Sequence, residues 1–385
     1  MLIKINRKKL ISALKRVVAI CKPGKEISSQ FEPLTIYDCG SNELEFVFTD
    51  HELQVSFKIK AEEIQRLTNT SLFGVNPNTL FGIVSAMKDD VISIKIKENK
   101  LNIYGSESGK KTSFALMMKP GFYTETNKLD LSELDREDVS CVELDELKFV
   151  DAVSNLLECP MNEKTFSNFI MFYKSKSGST CMFTTSGSVV IHFDFIESFY
   201  GFDQDSLSIY RKNIAYVASL CDGNTLKITL GKNRVYFKIK DTVIDDGFDI
   251  IVVSKKGENQ SIPPVERIIV EKPIQFYVDS SILFDVLSKV SLIDGSGFEL
   301  EVNGDKATVT SNNNGNDYIE TFDIEPISEV SQCISCFSHK LVNSAIKKQR
   351  TIKFKIELSE GPGMTTMIVT DKNRHLVSVI AAQRK

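Results

Sequence analysis

Residues 76–105, NPNTLFGIVSAMKDDVISIKIKENKLNIYG, read as a capped helix followed by a strand hairpin. Asn76 before Pro77 is the chemistry of a helix start. Ile92, Ile94 and Ile96 then alternate with Ser93 and Lys95, the period of a strand with one buried and one wet face. The same order returns in residues 210–241, YRKNIAYVASLCDGNTLKITLGKNRVYFKIKD, where Leu226, Ile228 and Leu230 alternate with Lys227 and Thr229. It returns again in residues 337–371, FSHKLVNSAIKKQRTIKFKIELSEGPGMTTMIVTD, with Ile352, Phe354 and Ile356 inward against Lys353 and Lys355. Aligning Leu80, Ile214 and Leu341 gives a repeat of roughly 130 residues, the size of a domain and far longer than a solenoid period.

A second helix precedes each of these segments: INRKKLISALKRVVAIC, ELDELKFVDAVSNLLEC and VDSSILFDVLSKVSLID, starting near residues 7, 145 and 280. In the last, Ile282, Leu283, Val286, Leu287 and Val290 fall at helical spacing, with Ser281, Asp285, Ser288 and Lys289 on the other face. Asp279 or Ser280 is the expected N-cap there, and Ser338 that of a later helix. Acidic TETNKLDLSELDREDVS and polar SKKGENQSIPPVERII read as linkers, so the expected domains are 1–125, 141–255 and 271–385, joined by 126–140 and 256–270.

With 385 residues, 42% of them hydrophobic, the chain can bury several cores. A net charge of −4 argues against gripping nucleic acid by bulk charge and leaves room for a local basic surface. No apolar run approaches a membrane span, and MLIKINRKKL lacks the apolar core of a signal peptide, so a cytoplasmic location without membrane contact is expected. Eight scattered cysteines, among them Cys21, Cys181 and Cys221, read as small core residues rather than a disulfide framework.

Enzyme signatures are weak. GSESGKKT, Gly105 to Thr112, is one residue short of a phosphate loop and joins two strands, whereas such a loop must feed a helix N-terminus. Cys333, Cys336 and His339 could supply three metal ligands but bring no fourth. His51 and His192 sit in no nucleophile–base arrangement. No enzyme, no ATPase activity and no cofactor or metal are therefore expected. Cations recur on the helices instead: Arg7, Lys8, Lys9, Lys15 and Arg16 on the first, Arg211 and Lys212 on the middle one, Lys340, Lys347, Lys348 and Arg350 on or after the last, with Lys88 and Lys148 between. Each group alone reads as a solvated face. Their return on equivalent helices points to a shared basic surface.

The triplicated pattern resembles the bacterial β-type sliding clamp, the processivity subunit of replicative DNA polymerase, over nearly the whole chain. MLIKINRKKLISALKRVV is similar to the family's opening strand and helix, FEPLTIYDCGSNELEFVFTDHELQVSF to its first hairpin with a Thr-Asp turn at Thr49-Asp50, and FSNFIMFYKSKSGSTCMFTTSGSVVIHF to its middle-domain strands. The resemblance implies an α+β fold of three similar clamp domains, each with two helices on the inner side of antiparallel sheets, forming half of a six-domain homodimeric ring. It implies a non-enzymatic processivity factor that encircles duplex DNA without reading sequence, tethers a DNA polymerase and is placed on DNA by an ATP-dependent loader. Lys8, Lys15, Arg16, Lys88, Lys148, Arg211, Lys212, Lys340, Lys347 and Lys348 would face DNA.

The resemblance also implies a partner-peptide pocket at Thr185, Gly187, Val190, Pro263, Arg267, Ile268, Val379 and Ile380. This chain departs from the family's pattern there, with Ser188-Val189 in place of His-Arg and Ala381-Ala382-Gln383-Arg384-Lys385 in place of Met-Pro-Met-Arg-Leu. Such divergence points to a phage or plasmid clamp, or a bacterial paralogue. The alternative reading is a clamp-like protein that sequesters replication partners without encircling DNA.

Overall fold

The structure, a computed structural model, describes residues 1–20, 34–49, 53–65, 72–97, 100–107, 110–118, 141–161, 166–195, 207–231, 234–241, 248–255, 265–293, 297–313, 315–328, 332–359, 365–371 and 375–382. One order of elements occurs three times. The first run is β1 (Leu2–Asn6), α1 (Arg7–Val18), β2 (Leu34–Gly40), β3 (Glu43–Thr49), β4 (Leu53–Lys60), β5 (Glu63–Gln65), β6 (Leu72–Val75), α2 (Pro77–Ala86), β7 (Val91–Lys97), β8 (Lys100–Glu107) and β9 (Lys110–Met117). The second is β10 (Cys141–Asp145), α3 (Glu146–Leu156), β11 (Phe169–Lys174), β12 (Thr180–Thr185), β13 (Val189–Asp194), β14 (Leu207–Tyr210), α4 (Arg211–Leu220), β15 (Thr225–Leu230), β16 (Arg234–Asp241) and β17 (Phe248–Lys255). After a single helical turn, α5 (Val265–Ile268), come β18 (Ile274–Asp279), α6 (Ser280–Leu292), β19 (Phe298–Asn303), β20 (Lys306–Asn313), β21 (Asn316–Asp323) and β22 (Glu325–Pro326). This third run ends with β23 (Cys333–Phe337), α7 (His339–Ile346), β24 (Lys353–Leu358), β25 (Thr366–Thr370) and β26 (Leu376–Ala381).

Strand order repeats as well: β1-β7-β8-β9, β10-β15-β16-β17 and β18-β24-β25-β26 form one set, β6-β2-β3-β4, β14-β11-β12-β13 and β23-β19-β20-β21 the other. Register is kept residue for residue. Rows beginning three residues before the first helix of each run are Lys4–Ser93–Tyr104–Ser113, Glu143–Lys227–Lys238–Ile251 and Tyr277–Lys355–Thr370–Val377. Rows beginning three residues before the second helix are Gly74–Thr35–Val47–Ser56, Ser208–Met171–Phe183–His192 and Cys336–Glu299–Thr310–Ile319. Runs join edge to edge where β17 pairs with β4 and β26 with β13, and both joints align the same places, Ile251 with Ser56 and Val377 with His192.

Because sheets cross the repeat boundaries, the chain divides into two compact units, Met1–Leu147 with Tyr216–Lys255 and Lys148–Ala215 with Lys256–Lys385. In the first, Leu10, Ala13, Leu14 and Val17 of α1 and Leu80 and Val84 of α2 are buried with Phe46 and Phe57, whose rings stack at 5.2 Å. In the second, Leu283, Val286, Leu287 and Val290 of α6 are buried at the predicted spacing, and Phe284 meets Phe354 edge-on. Each such side chain contributes roughly 1.5–3 kcal/mol over an exposed one.

Asn76 caps α2 by accepting the Thr79 N–H, and Asn6 does the same for α1 through Lys9. Asp279 and Ser338 stand at N-cap positions without a side-chain cap bond. The first-helix starts share a backbone bond to the connection before the following hairpin: Arg7 to Asp90 O, Glu146 to Asn224 O and Ser280 to Ile352 O. The middle repeat adds a carboxylate. Glu146 Oε2 accepts the N–H groups of Asp222, Gly223 and Asn224 at 2.8, 2.9 and 3.0 Å, with Gly223 at φ 110°. Three charge-assisted bonds at a buried carboxylate predict that Glu146→Ala lowers stability by about 2–3 kcal/mol and Glu146→Gln by less. A urea midpoint unchanged by the alanine would refute this.

Three expectations need correction. Ile352 is 84% exposed, because β24 begins one residue later and Ile352 belongs to the connection from α7. The segment read as a second linker contains α5, whose Val265 is buried in an apolar cluster. Ile380 lies on the helix side of its sheet, as described below. The Thr49-Asp50 turn, His51, Pro263, the residues 124–140 and Gln383 to Lys385 fall wholly or partly outside the described residues.

Candidate functional site

Lys8 and Lys15 on α1, Lys88 after α2, Lys148 on α3, Lys212 on α4 and Lys340 on α7 are exposed. Arg16, Arg211, Lys347 and Lys348 reach partners within the chain. Arg16 Nη1 donates to Leu220 O at 3.3 Å, at the C-terminal end of α4, where a cation also meets the negative end of the helix dipole. Arg211 donates to Cys159 O at 2.8 Å, Ser167 O at 3.4 Å and Leu157 O, closing the end of α3. Lys347 and Lys348 reach Glu158 at 3.4 and 3.9 Å. At half-exposed positions these pairs contribute roughly 0–1 kcal/mol and leave the ammonium groups able to turn toward a phosphate.

Within the Gly105 to Thr112 stretch the ends of β8 and β9 pair, Gly105 with Thr112. A Cβ at Gly105 would meet the ends of the Asp89 and Met87 side chains, which would have to shift. Cys333 and Cys336 occupy positions of opposite parity on strand β23, so alternation points them to opposite sheet faces. His339 follows as the first residue of α7 and is buried.

In the second unit one sheet face carries an apolar patch. Register places Met171 and Tyr173 of β11, Cys181 and Phe183 of β12, Val190 of β13, Val377 and Val379 of β26 and Ile368 of β25 on it, and Val265, Ile268 and Ile269 pack against them. Thr185 lies beside Val190 and opens a tight turn: its Oγ1 accepts the Gly187 N–H at 3.0 Å, and Gly187 has φ 86°. Ser188 O in turn accepts the Ala381 N–H at 2.9 Å, fastening the end of β26. Thr185, Val190, Ile268 and Val379 thus share one face, with Gly187 in the turn at its end and Arg267 exposed on α5. Ile380 alternates to the opposite side, where α7 packs against β26 and β13.

The same places in the first unit are partly polar. Thr35, Glu45 and Gln54 replace Met171, Cys181 and Val190, Ser56 donates to Glu45 at 2.6 Å, and Tyr37, Val47, Tyr236, Val253 and Ile251 keep the other places apolar. Among the described residues the larger apolar cluster is therefore that of the second unit, and apolar patches with a few polar groups are what peptide ligands occupy.

Sequence reasoning passed over Tyr173 and Glu266, and read Cys181 as a small core residue and His192 as lying outside any nucleophile–base arrangement, without placing either at this face. Tyr173 and Cys181 lie at alternate positions to Met171 and Phe183, a signal that could have found them. His192 Nε2 and Tyr173 Oη are 2.8 Å apart, and His192 is 3% exposed. Burial pushes its pKa down to about 4, against the pull of Asp194 and Glu266. Above pH 6.5 the ring is neutral whether folded or unfolded. Between about pH 6.5 and 4 the unfolded chain takes up a proton that the folded one refuses, so stability falls as pH falls, by about 3 kcal/mol in all at 1.4 kcal/mol per unit. His192→Phe should remove this contribution from the pH profile of the urea midpoint; superimposable profiles would refute it.

No described helix is long and apolar enough to cross a membrane. No protein-family model matches the sequence, nor does any curated protein sequence. Solved structures do match. The DNA polymerase III β subunit of Pseudomonas aeruginosa superposes over 100% of both chains with a TM-score of 0.81 at 16% identity. The β subunit of Thermotoga maritima covers 100% of this chain and 99% of its own, with a TM-score of 0.78 at 14% identity. The Helicobacter pylori β clamp, solved bound to a DNA ligase peptide, covers 100% of both, with a TM-score of 0.76 at 14% identity. The repeated helix–sheet order, the antiparallel pairing across repeats and these superpositions together give the chain the fold of the DNA polymerase III β sliding clamps.

Proposed function

We propose that this chain is a non-enzymatic DNA sliding clamp of three domains, 1–125, 141–255 and 271–385, two copies of which close head to tail around duplex DNA and tether a polymerase. What carries the reading is the register repeated at both internal joints. Applied a third time it leaves two unmatched row ends, Ser113 in β9 and Ile319 in β21, each on an edge strand of its sheet. Open edges invite pairing, and these expose Phe114 and Met117 on one strand and Ile319, at 67%, on the other. The helix ends support the same step. Arg16 near the end of α1 meets the end of α4, and Glu158 just after α3 meets Lys347 and Lys348 just after α7. By the same rule the end of α6, where Leu292 is 81% exposed, would meet the partner's α2.

In this reading the exposed lysines attract phosphate without reading bases, and retention comes from topology. A separate ATP-driven loader would open the ring. The apolar face around Val190 and Val379 would take short segments of the polymerase and other replication proteins, as the Helicobacter pylori clamp takes a ligase peptide. The test is retention on circular DNA that is lost when the circle is cut. A chain that only sequesters partners would show no such dependence.

A further inference from the structure

Building on the reading of this face as a peptide site, we propose that Glu266 is its positioning residue: by accepting the Lys176 backbone N–H, its carboxylate fastens α5 to the sheet and holds Arg267 and Ile268 where an incoming peptide meets them. A single helical turn does not hold itself together. The helix α5 has four residues and is closed by the Ile269 N–H to Val265 O bond at 3.0 Å. Its first anchor is Val265, buried in the same apolar cluster as Tyr173, Cys181 and Ile368. Its second is Glu266, whose Oε1 lies 3.0 Å from Lys176 N and whose Oε2 lies 3.3 Å from Lys176 Nζ.

These two contacts differ in weight. The Lys176 side chain is 89% exposed, so the ion pair contributes little. The backbone N–H belongs to a turn fixed by Ser175 N–H to Ser179 O, Gly178 N–H to Ser175 O and Ser179 N–H to Ser175 Oγ, at 2.9, 2.9 and 3.1 Å. A carboxylate on a prearranged N–H is the stronger tie. Cys181 reports on it, since it shares the cluster with Val265 and is 1% exposed. Burial also raises its thiol to about 12, so it reacts slowly until the cover lifts.

The experiment alkylates the full chain with iodoacetamide, reads Cys181 by peptide mass mapping, and measures anisotropy of a fluorescein-tagged copy of the ligase peptide bound by the Helicobacter pylori clamp. Glu266→Ala is expected to speed Cys181 alkylation at least about tenfold and to weaken the peptide by a similar factor. Glu266→Gln keeps a carbonyl acceptor, and Lys176→Ala keeps the N–H, so both should stay within about threefold of the parent. Unchanged labelling in the alanine variant, or Gln or Lys176→Ala variants as fast as it, overturns the proposal. So does an alanine variant that labels fast yet binds the peptide like the parent. If the parent takes up no peptide while labelling follows the expected order, the peptide reading falls and the fastening of α5 stands.

Discussion

Oxidation of a Ser113→Cys/Ile319→Cys chain is expected to give a covalent dimer, about twice the 43.2 kDa of the monomer on a denaturing gel, in nearly all molecules. The pairing follows from the sheet rows alone. Ile251 opposes Ser56 at one joint and Val377 opposes His192 at the other, and Ser113 and Ile319 are the residues left at the corresponding places. Directly opposed residues in an antiparallel pair have Cα atoms roughly 4.5–5.5 Å apart, inside the window for a disulfide. The register is tested by a control. Ser113→Cys with Asp323→Cys shifts the second thiol four residues along β21, roughly 13 Å, and should cross-link only at background level. Peptide mapping separates the new bond from the chain's own eight cysteines. A parent chain that stays monomeric by light scattering at micromolar concentration, or equal cross-linking in the control, would sink the head-to-tail pairing.

Periodicity made the repeat legible because each run obeys the same rule: a strand, a helix whose apolar stripe faces a sheet, and hairpins with one face inward. Leu283, Val286, Leu287 and Val290 lie where that rule put them. The period does not say where a strand begins, so Ile352 was placed inward although it precedes β24. Nor does it say which face a motif will serve, so Ile380 was grouped with Val379 although neighbours in a strand point oppositely. Arg211 read as one more surface cation because nothing local marks its carbonyl acceptors 44 to 54 residues away. Glu146 was invisible for the same reason, its three donors lying 76 to 78 residues along the chain. α5 was hidden by composition, since VERI is polar and follows a proline pair, and only the sheet beneath Val265 makes it fold.

The cross-linked pair also decides what the ring is for. If the reduced Ser113→Cys/Ile319→Cys chain is first dissociated to monomers, so that no loader is needed, then mixed with nicked circular plasmid and oxidised, rings that close around the duplex can no longer leave it. At 1 M salt the Debye length is about 3 Å, and a protein held by six to ten phosphate contacts has lost roughly 10³–10⁵ in affinity by 200 mM. Gel filtration at 1 M salt should therefore keep trapped dimers with the plasmid and strip every directly bound chain. Cutting the plasmid once should release nearly all of the protein, and so should reductant. Lys8, Lys15, Lys88 and Lys340 are the exposed cations to reverse together to Glu; this should lower the trapped fraction without changing the yield of cross-link. Trapping indifferent to linearisation would mean direct binding. No trapping at all, with the dimer formed in full, would mean a ring closed beside DNA rather than around it, and would leave the capture of replication partners as the reading that fits.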